Sequence, residues 1–376
     1  MNKTFQYRLY PTKKQQTRLN GWLALCCETY NAALQERRDA YRLAGVSLGY
    51  AQQCAELPDC KAVRPELGEV NSQVLQDAVK RVDLAFAAFF RRCAAGEKPG
   101  YPRFRSRARY DSLTFKQYGN SFALSADGKL VLSKLGQVKM VLHRPLRGTP
   151  KTAIVKRTPT GKWFVSICCR DVEPASLPAS HEQVGIDVGL ATFAYLSDGS
   201  HIENPRFFRQ EEHALAKAQR KLSKATGETP DQRKRRKVVG RIHERISNRR
   251  QNFIGQQVAL LVKRFGFIAI EALVVRSMVK NPRLAKSIAD AAWSAFFTQL
   301  VWKAEEAARQ VVKVNPAYTS QTCSACGTIQ DMPLSVRVYE CSRCSLVLDR
   351  DHNASRNILQ QAVGRHGRVI PEAPGL

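Results

Sequence analysis

The sequence predicts a multidomain α+β chain: an N-terminal β-barrel with a helical insertion, then an α/β domain into which a small metal-binding knuckle is inserted. Three observations lead there. The apolar period changes from helical to two-residue and back along the 376 residues. The segment Asp171-Val172-Glu173-Pro174-Ala175-Ser176-Leu177-Pro178 reads as a linker, with a domain boundary near residue 178. Two Cys-x-x-Cys pairs stand close together near the C-terminal end.

Taken in order, Phe5, Tyr7 and Leu9 alternate as in a short strand before Pro11. Thr12 and Gln15 form a capping-box pattern, and Leu19, Trp22, Leu23, Cys26, Tyr30 and Leu34 follow at helical spacing. A second stripe, Val74, Ala78, Val82, Ala85, Phe89 and Phe90, continues the helical region to about residue 95. From residue 110 to 172 the period is two, with Asp127-Gly128 and Thr160-Gly161 as hairpin turns, so an antiparallel sheet or barrel is expected, joined by the first strand. Beyond the linker, Val184 to Gly189 and Thr192 to Leu196 read as strands, with Asp198-Gly199 as a turn. Two long helices broken at Gly227-Glu228-Thr229-Pro230 come next, then the apolar run Phe267-Ile268-Ala269-Ile270 ending in Glu271, a helix with Trp293, Phe296, Leu300 and Ala304 inward, and a strand from Val311 to Val314. The expected domains are 1–10 with 110–176 (barrel), 11–109 (helical), 180–318 with 348–365 (α/β), 319–347 (knuckles) and a tail, 366–376.

Sixty Lys and Arg against 32 Asp and Glu give a net charge of +28. A free enzyme of small metabolites has no use for such a field; a polyanion is the expected partner. With 44% hydrophobic residues the chain can bury real cores, which excludes wholesale disorder. No export segment opens the sequence and no run approaches the roughly 18 apolar residues of a membrane span, so no membrane partner and a cytoplasmic location are expected. The basic surplus peaks between Arg206 and Arg250, where fifteen Lys or Arg face five Asp or Glu. There Arg241, Arg245 and Arg249 recur at every fourth residue, and with Arg250 they are candidate phosphate contacts, a solvated helix face being the alternative.

Eleven cysteines, an odd number unevenly spread, argue against a disulfide framework. Cys323 and Cys326, then Cys341 and Cys344, are two knuckles separated by 14 residues. Thiolates two residues apart on a tight turn reach one ion together, and two such turns complete a tetrahedral zinc site with no open position, hence a structural one. Cys26, Cys27, Cys54, Cys60, Cys93, Cys168 and Cys169 lack such spacing and read as core or surface thiols.

A carboxylate that ends or interrupts an apolar strand is costly to desolvate. Asp187 and Glu271 occupy such places, and Asp349-Arg350-Asp351-His352-Asn353 looks like a helix start with acid in its first turn. Taken singly, each strand-end acid could equally be a salt-bridged structural residue. The order strand-Asp, hairpin, helices, strand-Glu, helix, strand, helix-Asp is the layout of an RNase H-like nuclease, in which three distant carboxylates converge on two divalent ions. Oxygen ligands favour Mg²⁺ or Mn²⁺.

Several stretches, spread nearly end to end, carry a family resemblance. Arg8-Leu9-Tyr10-Pro11-Thr12 with Trp22 to Asn31, Gly100-Tyr101-Pro102-Arg103-Phe104-Arg105, Gly185-Ile186-Asp187-Val188-Gly189, Ile270-Glu271 with Ser287 to Trp293, Tyr318 to Gly327, and Asp349 to Ala354 resemble the motifs of TnpB. TnpB is the RNA-guided nuclease of bacterial insertion sequences, and type V CRISPR effectors look descended from it. The resemblance implies a wedge-like barrel, a RuvC nuclease domain of RNase H type with a zinc ribbon inserted, and Asp187, Glu271 and Asp351 as catalytic, magnesium-binding acids, with Asp349 as second choice. Ala272 departs from the polar residue that relatives often carry there.

The implied partners are a guide RNA from the transposon end and double-stranded target DNA cut beside a short motif, one monomer per RNA being favoured. Tyr101, Arg103, Phe104 and Arg105 are further nucleic-acid candidates, the two aromatics serving as stacking platforms or as core packing. His352 could aid proton transfer or stand by. The competing readings are a non-cleaving RNA-guided DNA-binding regulator, a DNA transposase or recombinase, and a plain nucleic-acid-binding protein with a zinc ribbon.

Overall fold

The computed structural model describes residues 1–225, 227, 229–333 and 335–364. The chain divides into two compact units, Met1–Glu173 and the remainder from Pro174, and the division falls inside Asp171–Pro178.

The first unit opens with β1 (Lys3–Tyr10), whose Phe5, Tyr7 and Leu9 are buried on alternate positions. Its helices are α1 (Lys13–Ala44), α2 (Tyr50–Ala55), α3 (Leu57–Val63) and α4 (Ser72–Ala94). The Thr12–Gln15 capping box starts α1, and Gly45 ends it with a left-handed φ of 66°. Leu19, Trp22, Leu23, Cys26, Tyr30 and Leu34 of α1 share one core with Val74, Leu75, Ala78, Val79 and Val82 of α4. Strands β2 (Ser112–Phe115), β3 (Phe122–Leu124), β4 (Leu130–Leu132), β5 (Gly136–Val141), β6 (Thr149–Arg157) and β7 (Trp163–Arg170) join β1 in one sheet. The order is β2-β6-β7-β1-β5-β4-β3, with Phe5 opposite Ile167 and Leu9 opposite Met140. This corrects the expected barrel: among the described residues β2 and β3 remain edges, so the sheet is a half-barrel. Strands β3 and β4 have three residues each, and no pairing joins β3 to β2 among the described residues.

The second unit contains β8 (Gln183–Val188), β9 (Thr192–Leu196), β10 (His201–Glu203), α5 (Phe207–Ser223), α6 (Pro230–Arg264), β11 (Phe267–Glu271), α7 (Val275–Met278), α8 (Ala285–Ala291), α9 (Trp293–Glu306), β12 (Gln310–Val314), β13 (Val338–Glu340), β14 (Val347–Asp349) and α10 (Arg350–Val363). Its main sheet runs β10-β9-β8-β11-β12. The first three strands form an antiparallel meander, and β8, β11 and β12 are parallel. Ile254, Val258, Phe296 and Leu300, from α6 and α9, pack with Phe193 and Ile270. Ile358 of α10 clusters instead with Ala269 and Val314, so β11 is buried on both faces, as its unbroken apolar run requires.

Helix α10 approaches β8 without intervening side chains. A Cβ added to Gly185 would stand 2.1 Å from the Ser355 carbonyl oxygen and 2.7 Å from the Leu359 nitrogen. Only glycine permits that contact.

Helices α5 and α6 form a hairpin cored by Leu215, Ala218, Ile242 and Ile246. Thr229 caps α6 by accepting the Gln232 N–H at 3.2 Å, with Pro230 as first residue. Glu228 of the expected helix break, residue 365 of the α/β range and the expected tail 366–376 lie outside the described residues. No described helix is long and apolar enough to cross a membrane.

Candidate functional site

Strands β8 and β11 are parallel, and Ile186 pairs with Ile270. The next residue on each strand is an acid, Asp187 and Glu271, so the two carboxylates leave neighbouring strand ends side by side, one strand spacing of about 4.8 Å apart at the backbone. Asp351 comes from the first turn of α10. Its Oδ2 lies 3.5 Å from where a Gly189 Cβ would sit, so it hangs over the β8–β9 turn. Asp349 does not share this arrangement. It is the N-cap of α10, its Oδ1 accepting the N–H of Asp351 at 2.8 Å and of His352 at 3.3 Å.

Electrostatics tie the three acids together. Burial holds the Asp187 carboxyl well above the usual carboxylate range; Glu271 and Asp351 push it the same way, against the Val188 N–H and Arg350. Burial also raises Glu271, opposed by the hydrogen bond from Thr319. Asp351 is raised by burial and by Asp349, with Arg337 and Arg350 opposing. Among the described residues the one cation paired with these acids is Arg337, whose Nη1 lies 4.0 Å from Asp351 Oδ1, and burial outweighs the opposing groups at all three carboxylates. Asp187, Glu271 and Asp351 are hard oxygen donors and fit divalent cations. Among the described residues only the four knuckle cysteines bring all their ligand atoms within 4.8 Å of one another, so the acids stand further apart than a single small ion requires.

Cys341 and Cys344 lie in the connection between β13 and β14, and Cys323 and Cys326 in the loop that precedes β13. Sγ atoms of Cys323 and Cys344 are 3.6 Å apart, those of Cys326 and Cys341 3.5 Å. A tetrahedron of thiolates about 2.3 Å from zinc has edges of roughly 3.8 Å, so the four sulfurs fit such an ion. The Thr328 hydroxyl and N–H bring the Cys326 thiol down to about 6, and the N–H groups of Cys344 and Arg343 lower Cys341. Against the Leu346 N–H, burial and the neighbouring thiols push Cys344 up to about 12. Protons are shared unevenly, and a cation would displace them.

Sequence reasoning singled out no role for the polar side chains that join these two centres. The Ser324 N–H donates to Asn353 Oδ1 at 2.9 Å, and Asn353 Nδ2 donates to the Thr322 carbonyl at 2.8 Å. Asn357 Nδ2 reaches the carbonyls of Thr319 and Thr322 at 2.8 and 2.6 Å. Gln360 Nε2 donates to Ser324 O, and the Arg350 guanidinium to Pro333 O and Ser320 Oγ. The sequence signal is a row at positions 350, 353, 357 and 360, the helical spacing of one face. His352 stacks on Tyr195 at 5.5 Å between centroids, with Nε2 3.3 Å from the Ser197 carbonyl.

The basic candidates differ in their engagements. Arg241 has no ion-pair partner among the described residues, whereas Arg245 and Arg249 both approach Glu211, at 3.1 and 3.8 Å. Arg250 Nη2 binds the buried Asp290 at 3.0 Å, and Asp290 also accepts the N–H of Phe208 at the start of α5. In the first unit, Tyr101 and Phe104 are about half exposed, and the Arg38 guanidinium lies over both rings at 5.8 and 5.3 Å. The Tyr30 hydroxyl donates to the Arg103 carbonyl, the Arg105 N–H to Asn31, and the Arg105 guanidinium covers the Tyr30 ring.

Comparison with known proteins gives consistent results. Residues 166–282 match a family model described as "Probable transposase" (OrfB_IS605), residues 293–358 a Cas12f1-like TNB domain, and residues 1–45 a helix-turn-helix domain. The last segment is here a strand followed by the single long helix α1. A Streptomyces pristinaespiralis protein named "Putative RNA-guided DNA endonuclease" is 36% identical over 96% of this chain and 89% of its own length. InsQ of Escherichia coli K12, given the same description, is 28% identical over 94% and 91%. Among solved structures, a Cas12f1-sgRNA-target DNA complex contains a chain with the same fold at a TM-score of 0.61 and 13% identity, covering 95% of this chain and 98% of that one.

Proposed function

Since this chain belongs to the TnpB family, we propose that it is an RNA-guided DNA endonuclease of a transposable element, cutting target DNA beside a short motif. The observation that carries the proposal is the side-by-side placement of Asp187 and Glu271 at the ends of two parallel strands, with Asp351 presented to them from α10.

On this reading the sheet order β10-β9-β8-β11-β12 is that of an RNase H-like (RuvC) domain, with the acids at the carboxyl ends of the central strands. Asp187, Glu271 and Asp351 would hold Mg²⁺ or Mn²⁺, which when bound in pairs lower the pKa of an attacking water and stabilise a leaving oxygen. The chain's own part is to bring three buried carboxylates near one another with Arg337, 4.0 Å from Asp351, as the one cation paired with them among the described residues, so that divalent ions are the favoured further counter-charge. Spacing wider than one ion's shell suits a set that bridges two. The four cysteines would hold a structural zinc, and 319–347 would be a ribbon inserted in the nuclease domain. The half-barrel of 1–10 and 110–176 and the helices of 11–109 would serve RNA and DNA recognition.

A guide RNA and double-stranded DNA are the proposed partners, in the cytoplasm, with base pairing setting sequence specificity. The surplus of +28 suits so many phosphates. The test is direct: purified with its cognate RNA, the chain should cut DNA carrying the guide-matched sequence and adjacent motif only with a divalent ion present. Asp187→Ala should abolish cutting while RNA binding stays. Cutting that survives this substitution rejects the site, RNA-bound protein that never cuts favours the regulator, and joined strand-transfer products without RNA favour the recombinase.

A further inference from the structure

We infer that Thr319 is a positioning residue that sets the Glu271 carboxylate for metal binding, an inference that rests on the nuclease reading above.

Glu271 ends β11 buried, and its carboxylate has one hydrogen-bond partner among the described residues, the Thr319 hydroxyl at 2.6 Å from Oε1. That hydroxyl has a single proton and a second acceptor in reach, the Pro316 carbonyl at 3.1 Å. The shorter contact is the charge-assisted one. With Oε1 held, Oε2 is the oxygen left for a cation. Asp187 is fixed by strand pairing close to its Cα and Asp351 by the first turn of a helix. A glutamate reaches further on a longer, freer side chain, so it needs an outside tether.

The tether is itself anchored. Thr319 is buried, and its carbonyl accepts Asn357 Nδ2 at 2.8 Å, from the helix that carries Asp351. One residue thus joins the elements of two acids, through its main chain to α10 and through its hydroxyl to β11. The Asn357 bond to Thr322 and the Ser324 N–H bond to Asn353 hold the same loop up to and into the first cysteine knuckle. Partners that orient a metal ligand in this way typically contribute 10- to 100-fold to metal affinity or activity.

The test uses the full chain with Thr319→Val, which keeps the shape and removes the hydroxyl, and Thr319→Ser, which keeps the hydroxyl. Mn²⁺ binding to the RNA-free protein is followed by electron paramagnetic resonance, with thermal unfolding and zinc content as controls. The Mn²⁺ concentration for half-maximal cleavage is then measured on the RNA-loaded protein. The expected result is Mn²⁺ binding about 10- to 100-fold weaker in the Val variant, near wild type in the Ser variant, with guide RNA affinity unchanged. Should Thr319→Val fail to fold, Thr319→Ala carries the same expectation. Mn²⁺ binding at wild-type strength without the hydroxyl overturns the inference, as does a Ser variant impaired as much as Val. Asp187→Ala run in the same series separates the two levels: if that variant still cuts, the nuclease site is wrong whatever Thr319 does.

Discussion

The carboxylate of Asp349 accepts the backbone N–H of Asp351 at 2.8 Å. Asp349 is thereby committed to closing the helix start, whereas the Asp351 carboxylate lies 4.0 Å from Arg337 Nη1 and acts electrostatically on Asp187. Asp351→Ala is expected to abolish cleavage and leave stability nearly unchanged. Asp349→Ala should cost about 1 kcal/mol of stability through the lost cap, with Asp349→Ser restoring it. Denaturant unfolding and cleavage measured on both variants check the division.

Asp187→Asn should stabilise the metal-free protein while abolishing cutting. The Asp187 carboxyl is raised in the folded state, so between the ordinary carboxylate range and its raised value the folded chain binds more protons than the unfolded one. Stability then falls as pH rises through that window. Asparagine removes the loss, and the expected Tm gain at neutral pH without divalent ions is about 2 °C or more. The gain should shrink on acidification and on adding Mg²⁺; a variant with Tm at or below wild type contradicts it.

Removing zinc from the proposed Cys323, Cys326, Cys341 and Cys344 site should stop cleavage even with Mg²⁺ in excess. The Ser324 N–H and the carbonyls of Thr322 and Thr319 are bonded to α10, so a released knuckle loosens the loop that meets the acids. Zinc measured by atomic absorption, with cleavage followed during chelation and zinc readdition, tests this. Full cutting by zinc-depleted protein would refute the coupling.

The clustered arginines should separate into two kinds. Arg241→Ala is expected to lower the salt-dependence slope of RNA or DNA binding by about one without affecting Tm. Arg250→Ala leaves Asp290 buried without its cation, and the expected cost is about 3 kcal/mol of stability. Binding across a salt series, beside thermal unfolding, distinguishes them.

Much of this organisation is legible in the order of residues alone. Asp187 and Glu271 stand out because an acid at the end of an apolar run is costly, and the cysteines because their spacing is the geometry of a single ion. What could not be read depends on distant segments meeting. Thr319 is one hydroxyl in a polar run until Glu271, 48 residues away, is placed beside it. Arg250 looks like a surface cation until Asp290 is found under it. Whether a seven-stranded sheet closes depends on whether its two marginal strands pair with each other, which local alternation does not report.

Gly185 brings helix α10 down onto the peptide groups of β8. The separation of the two backbones that carry residues 187 and 351 is therefore set by main-chain contact, with no interposed side chain at Gly185 to trim or enlarge. Natural drift in the surrounding interior can alter how firmly the domain holds together and still hand down the same separation. The adjustable member is the third acid, which reaches its place on a flexible side chain steadied by another residue.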